Sequence, residues 1–285
     1  MMSKSVLACS IERTESALVR LKSSGGGYTL SACRTLPFGF ENLASAKADR
    51  QIKKLARHLE EWPGEELALS MGAENYRPLP AYFPTGATPE AVHEYCRIEA
   101  GYFLNRPDDY RCDVTTCTDA GCEELLEKHL LLFYPAEPFS RASEQLAPGH
   151  DLVFTGTPQL PLMHLSKISG ASQAILEIES SYVLFRVATN GRMEKFSCRP
   201  VKNRKEREYF AIRALIDNPA GGAGAVQVTG TGADRSMIAR IRKATALALK
   251  PLGLPESISL GNPGKLKISS QAAVKAISMA LMALS

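Results

Sequence analysis

Short apolar runs of period two open the chain. "SVLACSI", "SALVRLK" and "YTLSACRTLPF" alternate sides as half-buried strands do, separated by the polar turn Ile11-Glu12-Arg13-Thr14-Glu15-Ser16 and by Gly25-Gly26-Gly27. They predict an antiparallel meander with a glycine hairpin. The period then lengthens: Ala48, Ile52, Leu55, Ala56 and Leu59 share one face of a helix expected from about Ala44 to Leu59, with lysines and arginines opposite. "ELALSMG" follows as a buried strand, so three strands, a helix and a returning strand form one α/β layer.

From Ala73 to about Gly149 the texture changes. Pro78, Pro80, Pro84 and Pro89 interrupt the chain, and "TPEAVHEYCRIEAGYFL" starts a helix with Thr88 as N-cap and Pro89 at its first position. "YRCDVTTCTD", "KHLLLFYPA" and the helical "EPFSRASEQL" complete a small inserted α/β module, and the main layer resumes near "HDLVFTGTP" with a helix from about Gln159 to Ile168. At Ala174 the opening pattern returns. "QAILEIESSYVLFRVATNGRMEKFSCRPV" again gives strand, polar turn (Glu177-Ile178-Glu179-Ser180-Ser181), strand, Asn190-Gly191 hairpin and strand, a repeated β-β-β-α unit. A helix from about Arg204 to Ile216, the strand "GAVQVTG", the helix "SMIARIRKATALAL", the short strand "ISL" and a closing helix from about Gln271 follow. The expected division is 1–73 with 150–172, an insert over 74–149, and a second half over 173–285.

Composition narrows the class without naming it. The 285 residues are 45% hydrophobic and 22% charged, an ordinary globular balance. The net charge of +4 gathers in two runs, Lys202, Arg204, Lys205 and Arg207, then Arg235, Arg240, Arg242 and Lys243. Neither is interleaved with aromatics, so both read as solvated helix faces and not as a nucleic-acid surface. Cys112, Cys117 and Cys122, five apart, do not pair as zinc ligands do, and no histidine element completes them; the reading is free thiols in a reducing compartment, with no metal. Val6-Leu7-Ala8-Cys9 imitates a lipoprotein cleavage box, but Glu12 cuts the apolar stretch short, so Cys9 is assigned to a strand. No apolar run reaches membrane-spanning length; "AAVKAISMALMALS" is short and carries Lys275. "GNPGK" has the wrong spacing for a Walker loop, "GASQA" misses a nucleophile elbow, and no catalytic residue is assigned.

Taken in order, these segments resemble the actin-like ATPase superfamily, and within it the PilM and FtsA type of protein. "VLACSIERTESA" (6–17) is similar to the first phosphate turn, "AILEIESSYVLFRV" to the second, and "VQVTGTGADRSMI" to the adenosine-side turn. "VHEYCRIEAGYFLNRPDDYRCDV" resembles the helix and strand of the inserted subdomain. The resemblance implies an α/β actin-like fold: duplicated ribonuclease H-like β-β-β-α-β units, the small insert, and a second half truncated at "DNPAGGAG", where the family places another subdomain.

It also implies a nucleotide site at Ser10, Glu12, Arg13, Glu177, Ser180, Ser181, Gly230, Thr231 and Gly232. The residues depart from that role. Ser10 and Glu177 stand where the family uses Asp to position metal, and Glu12 and Glu179 where it uses Gly. Two unit charges 4 Å apart repel by roughly 4 kcal/mol at an effective dielectric near 20, so Glu12 and Glu179 would oppose a triphosphate, with Arg13 offsetting part of it. The implied function is therefore that of a non-catalytic or weakly nucleotide-binding cytoplasmic adaptor, peripheral at the inner membrane, for pilus or secretion assembly, with no cofactor assigned and ATP with magnesium as the weaker option. The implied partner is the cytoplasmic tail of a PilN-like membrane protein, with Ala81, Tyr82 and Phe83 as groove candidates and self-association as a further option. The alternative is a working ATPase or sugar-kinase relative of the same superfamily.

Overall fold

The computed structural model describes residues 4–44, 48–72, 76–118, 125–218, 224–261, 268 and 270–285. The chain forms two compact units. The first comprises Met1–Ala73, Glu137–Leu165 and Gly253–Ser285, and the second Glu74–Ala136 and Ser166–Leu252.

The opening meander of the first unit forms as its alternation predicts. β1 (Lys4–Ile11), β2 (Ser16–Ser24) and β3 (Gly27–Leu36) pair antiparallel in sequence order. Gly25 and Gly26 turn with φ of 62° and 86°, the left-handed pair that matches strand twist in a two-residue hairpin. β4 (Glu66–Met71) returns parallel to β1 after the crossover helix α1 (Ala48–Leu59). Ile52, Leu55 and Leu59 of α1 are buried. Its opposite face presents Arg50, Lys53, Lys54 and Arg57 to solvent. Those four make like-charge neighbours at i,i+3 (Arg50–Lys53, Lys54–Arg57) and i,i+4 (Arg50–Lys54, Lys53–Arg57), each costing helix stability about 0.2–0.5 kcal/mol.

In the second unit β5 (Arg77–Pro84), β6 (Tyr110–Thr116) and β7 (Leu126–Pro135) make an antiparallel sheet in the order β5-β7-β6. Helix α2 (Pro89–Phe103) covers one face of it, its N-cap Thr88 accepting from the Ala91 N–H. Within the first unit, α3 (Glu137–Leu146) precedes β8 (Asp151–Gly156), which extends the first sheet beyond β4. α4 (Gln159–Ser169) leads to β9 (Gln173–Ile178), and β10 (Tyr182–Thr189) and β11 (Arg192–Pro200) repeat the meander around Asn190 and Gly191 at φ 52° and 76°. α5 (Arg204–Asp217), β12 (Val226–Thr229), α6 (Arg235–Thr245) and β13 (Leu249–Pro251) complete the second sheet, β11-β10-β9-β12-β13. Ala211, Leu215, Met237 and Ile241 from the two helices pack on Leu176, Phe185 and Val228.

Two expectations are corrected here. The C-terminal stretch does not stay with the second half: β14 (Ile258–Leu260) pairs parallel to β3, and α7 (Gln271–Leu284) packs against β1, β2 and β4. α7 is buried on every side: every residue from Ala272 to Leu281 is buried, all apolar except Lys275 and Ser278, and its alanines permit close approach to the first sheet. α3 likewise leaves the insert and packs on α1, where Arg141 and Gln145 both donate to the Asp49 carboxylate at 2.8 and 3.0 Å. Further on, α6 ends at Thr245 although "ALALK" continues with good helix formers. Ala246 turns left-handed at φ 56°, and Leu249 to Pro251 are spent as a strand on β12.

Candidate functional site

The turn after β1 is built around a buried carboxylate. Ser10 and Glu12 are 0% and 5% exposed. The Ser70 hydroxyl donates to Ser10 Oγ at 3.2 Å, and Ser10 Oγ donates in turn to Glu12 Oε1 at 2.7 Å. The other oxygen, Glu12 Oε2, receives Lys275 Nζ of α7 at 2.5 Å, and Lys275 is itself 1% exposed. The backbone is strapped as well. The Phe40 N–H donates to Glu12 O at 2.8 Å, and a Cβ on Gly39 would lie 2.1 Å from that same oxygen, so only glycine lets the strap approach. Glu15 accepts from the Ser270 hydroxyl at 2.7 Å and from the Ala272 N–H at 3.2 Å, placing a negative charge on the N-terminus of α7.

The turn after β9 closes differently. Glu179 is 5% exposed; its Oε1 accepts from the Thr231 N–H at 3.2 Å and its Oε2 from the Thr231 hydroxyl at 2.6 Å. Gly230 has φ 100°, and a Cβ there would lie 2.3 Å from Ile178 O, so this turn lies flat against the end of β9. The Gly232 N–H is spent on Ile178 O at 2.8 Å. Glu177, fully buried, accepts from the Tyr182 hydroxyl at 3.2 Å and faces the buried Arg186, whose guanidinium is held below its usual pKa by burial and partly restored by the Glu177 charge. Tyr182 also meets Tyr76 edge-on, ring centroids 5.4 Å apart.

The sequence-predicted residues thus fall into two groups, one in each unit. Ser10, Glu12 and Arg13 sit at the first turn. Glu177, Ser180, Ser181, Gly230, Thr231 and Gly232 sit at the second. Arg13, expected to offset the added carboxylates, pairs instead with Glu41 at the surface, because the strap of residues 39–41 brings that acid alongside. Ser181 contributes its carbonyl to the Val201 N–H at 2.8 Å, and the Ser180 hydroxyl is enclosed without a hydrogen-bond partner among the described residues. Lys275 and Arg186 were not among the predicted residues. Each leaves one legible signal, a single cation inside an otherwise apolar element, "AAVKAISMAL" and "YVLFRVAT".

Ala81 and Phe83 are not groove residues. Both are buried beneath α2 with Leu131 and Phe133, whereas Tyr82, on the opposite pleat, is 51% exposed. Tyr82 shares its face with Pro80, Lys128 and Leu130. Those three border a recess of about 460 Å³ whose far wall is β11, with Met193, Phe196 and Arg199. The two basic runs behave as solvated helix faces that cross-link α5 and α6: Arg204 pairs with Asp234 at 2.7 Å and Arg240 with Glu208 at 2.8 Å. Cys9 lies in β1 with its thiol pushed up to about 12 by burial; Cys112 and Cys117 lie on and just beyond β6, and Cys122 falls outside the described residues. No described helix is long and apolar enough to cross a membrane.

The duplicated meanders, crossover helices and inserted sheet define the actin-like ATPase fold. In solved structures the chain is similar to one described as "PilM-PilN type IV pilus biogenesis complex", with TM-score 0.73 and 14% identity over 98% of both chains. It is similar too to a Bacteroides thetaiotaomicron protein described as having an actin-like ATPase fold and unknown function, with TM-score 0.55 and 8% identity over 87% of this chain and 90% of that one. No family model matches the sequence, and no curated protein matches it. The chain therefore shares its arrangement of elements with that pilus biogenesis structure.

Proposed function

We propose that this chain works by binding, as a PilM-like adaptor at the cytoplasmic face of a pilus or secretion platform, and that its two phosphate-type turns no longer serve nucleotide. The observation that carries this reading is the Glu179–Thr231 closure. A carboxylate of the chain itself takes the N–H and hydroxyl of the glycine-flanked turn. The first turn supports it, because Glu12 spends its charge on Lys275. At the second turn a phosphate would have to displace the Glu179 carboxylate from these donors, and phosphoryl transfer depends on donors preorganised toward the transferred group. The likeness to a PilM-PilN complex suggests the partner, a short cytoplasmic tail of a PilN-like membrane protein. We place that tail on the recess beside Tyr82, where Lys128 and Arg199 favour an acidic stretch.

Calorimetry with Mg-ATP tests the first half: heats consistent with a Kd tighter than about 10 μM, roughly −7 kcal/mol, would sink it. For the second half, a labelled peptide of a PilN-type cytoplasmic tail is titrated against the chain and its Tyr82→Ala variant. An aromatic anchor contributes on the order of 2 kcal/mol, so binding should weaken by more than tenfold; equal affinities would remove the recess from the proposal.

A further inference from the structure

We infer that the outer face of α1 is an electrostatic contact for an anionic lipid surface. Arg50, Lys53, Lys54 and Arg57 recur at i, i+3, i+4 and i+7, so their side chains share an arc of roughly 100° along about 10 Å of helix. All four are exposed. None makes an ion pair or side-chain hydrogen bond with another described residue, and the nearby Asp49, toward which Lys53 exerts a field, is already held by Arg141 and Gln145. The arginines of the two sequence runs behave in the opposite way, Arg204 and Arg240 having carboxylates across α5 and α6.

A surface shaped only for solubility intersperses both signs of charge. Here four like-charge contacts are kept on one helix whose other face is locked by Ile52, Leu55 and Leu59. Local destabilisation without structural compensation is the mark of a functional constraint. Within α1 the arc carries only these four cations, flanked by Gln51 on one side and by the Arg141-held Asp49 on the other, with no aromatic or aliphatic anchor of the kind that dominates protein–protein contacts. A fluid anionic surface needs no such anchor, since each Lys or Arg near it contributes independently and additively. The contact is peripheral: four cations at about fivefold each give a partition gain of several hundredfold, screened by salt. This inference does not depend on the partner reading, and its test contains no partner.

The test is flotation of the full chain with vesicles of phosphatidylglycerol mixed into phosphatidylcholine, and with phosphatidylcholine alone. The wild-type chain should float with the anionic vesicles only, and raising the salt should release it. The variant Arg50→Gln/Lys53→Gln/Lys54→Gln/Arg57→Gln should lose binding by at least a hundredfold while its far-ultraviolet spectrum and melting temperature are kept, because glutamine is a good helix former. A charge-matched control, Lys202→Gln/Lys205→Gln/Arg235→Gln/Lys243→Gln, should bind as the wild type does. Failure of the wild-type chain to float at low salt overturns the inference. So does an equal loss in the control variant, or retention in the α1 variant.

Discussion

The turn after β1 and the turn after β9 occupy corresponding places in the two repeated units, yet they bury their carboxylates by different chemistry. In the first, Glu12 meets a full opposite charge delivered from 263 positions later in the chain. In the second, Glu179 is held by two neutral donors of Thr231, 52 positions away and within the same sheet region. The first solution is strong but conditional. Coulomb attraction in a low-dielectric site is large, and so is the penalty if either partner is lost. The second is cheaper to break, since removing Glu179 leaves neutral groups behind. A duplicated turn therefore ties α7 to the first unit by charge, and the β12–α6 turn to β9 by hydrogen bonds.

Lys275→Ala should give the largest effect. Among the described residues it leaves the charged, buried Glu12 side chain with only the Ser10 hydroxyl, a change that costs about 3–5 kcal/mol by the usual measure of broken buried pairs. Urea unfolding reads this directly. A double variant, Glu12→Gln with Lys275→Met, should recover at least half of the loss; a loss below about 1 kcal/mol for Lys275→Ala would mean the pair does not hold the turn. Glu179→Ala comes next, at about 2 kcal/mol for unsatisfied Thr231 donors. Were it to cost more than Lys275→Ala, the contrast between the two turns would be reversed.

What could be read from the residues follows from what each signal encodes. The meanders at 5–36 and 174–199 are legible because period-two alternation and the Gly25-Gly26 and Asn190-Gly191 turns are local facts. Thr88 and Pro89 mark the start of α2 for the same reason. The home of α7 is not local. A helix this apolar fits either sheet, and the Lys275–Glu12 pair and the β14–β3 register decide between them. The phase of β5 is likewise invisible within "PAYFP", since prolines on both sides hide the alternation that sends Phe83 inward and Tyr82 outward. At the two turns the glutamates are visible as departures from the family pattern, but their partners are not. Sequence alone made them repulsive toward a ligand, and the structure makes them ligands of the protein's own donors.

Ser270→Ala sharpens the comparison at a smaller scale. The hydroxyl both accepts from the Ala273 N–H at 3.3 Å as N-cap of α7 and donates to Glu15. Its removal should cost about 1 kcal/mol, and Ser270→Asn should restore the cap without restoring the Glu15 contact. A differential effect of the two substitutions on urea midpoints separates capping from anchoring of the first turn. Identical losses would show that the contact to Glu15, and not the cap, carries the whole effect.

The smallest expected effect belongs to the second unit, through His129. It is nearly buried, stacks on Phe83 with centroids 4.9 Å apart, and is held below the ordinary histidine pKa by burial, despite Glu127 at 3.6 Å. The folded protein therefore resists protonation at a pH where the unfolded chain, titrating near 6.5, already binds the proton. Between that value and the depressed folded value the unfolded state carries more protons, so stability falls as pH drops through this window and is fully present above it. Urea midpoints should decline from pH 7.5 to 5.5, and His129→Gln should flatten the decline. Cys112 and Tyr134 of the same sheet, both pushed upward by their surroundings, stay protonated throughout that range and leave the slope to the imidazole. A slope unchanged by His129→Gln would shift the acid sensitivity out of the inserted sheet.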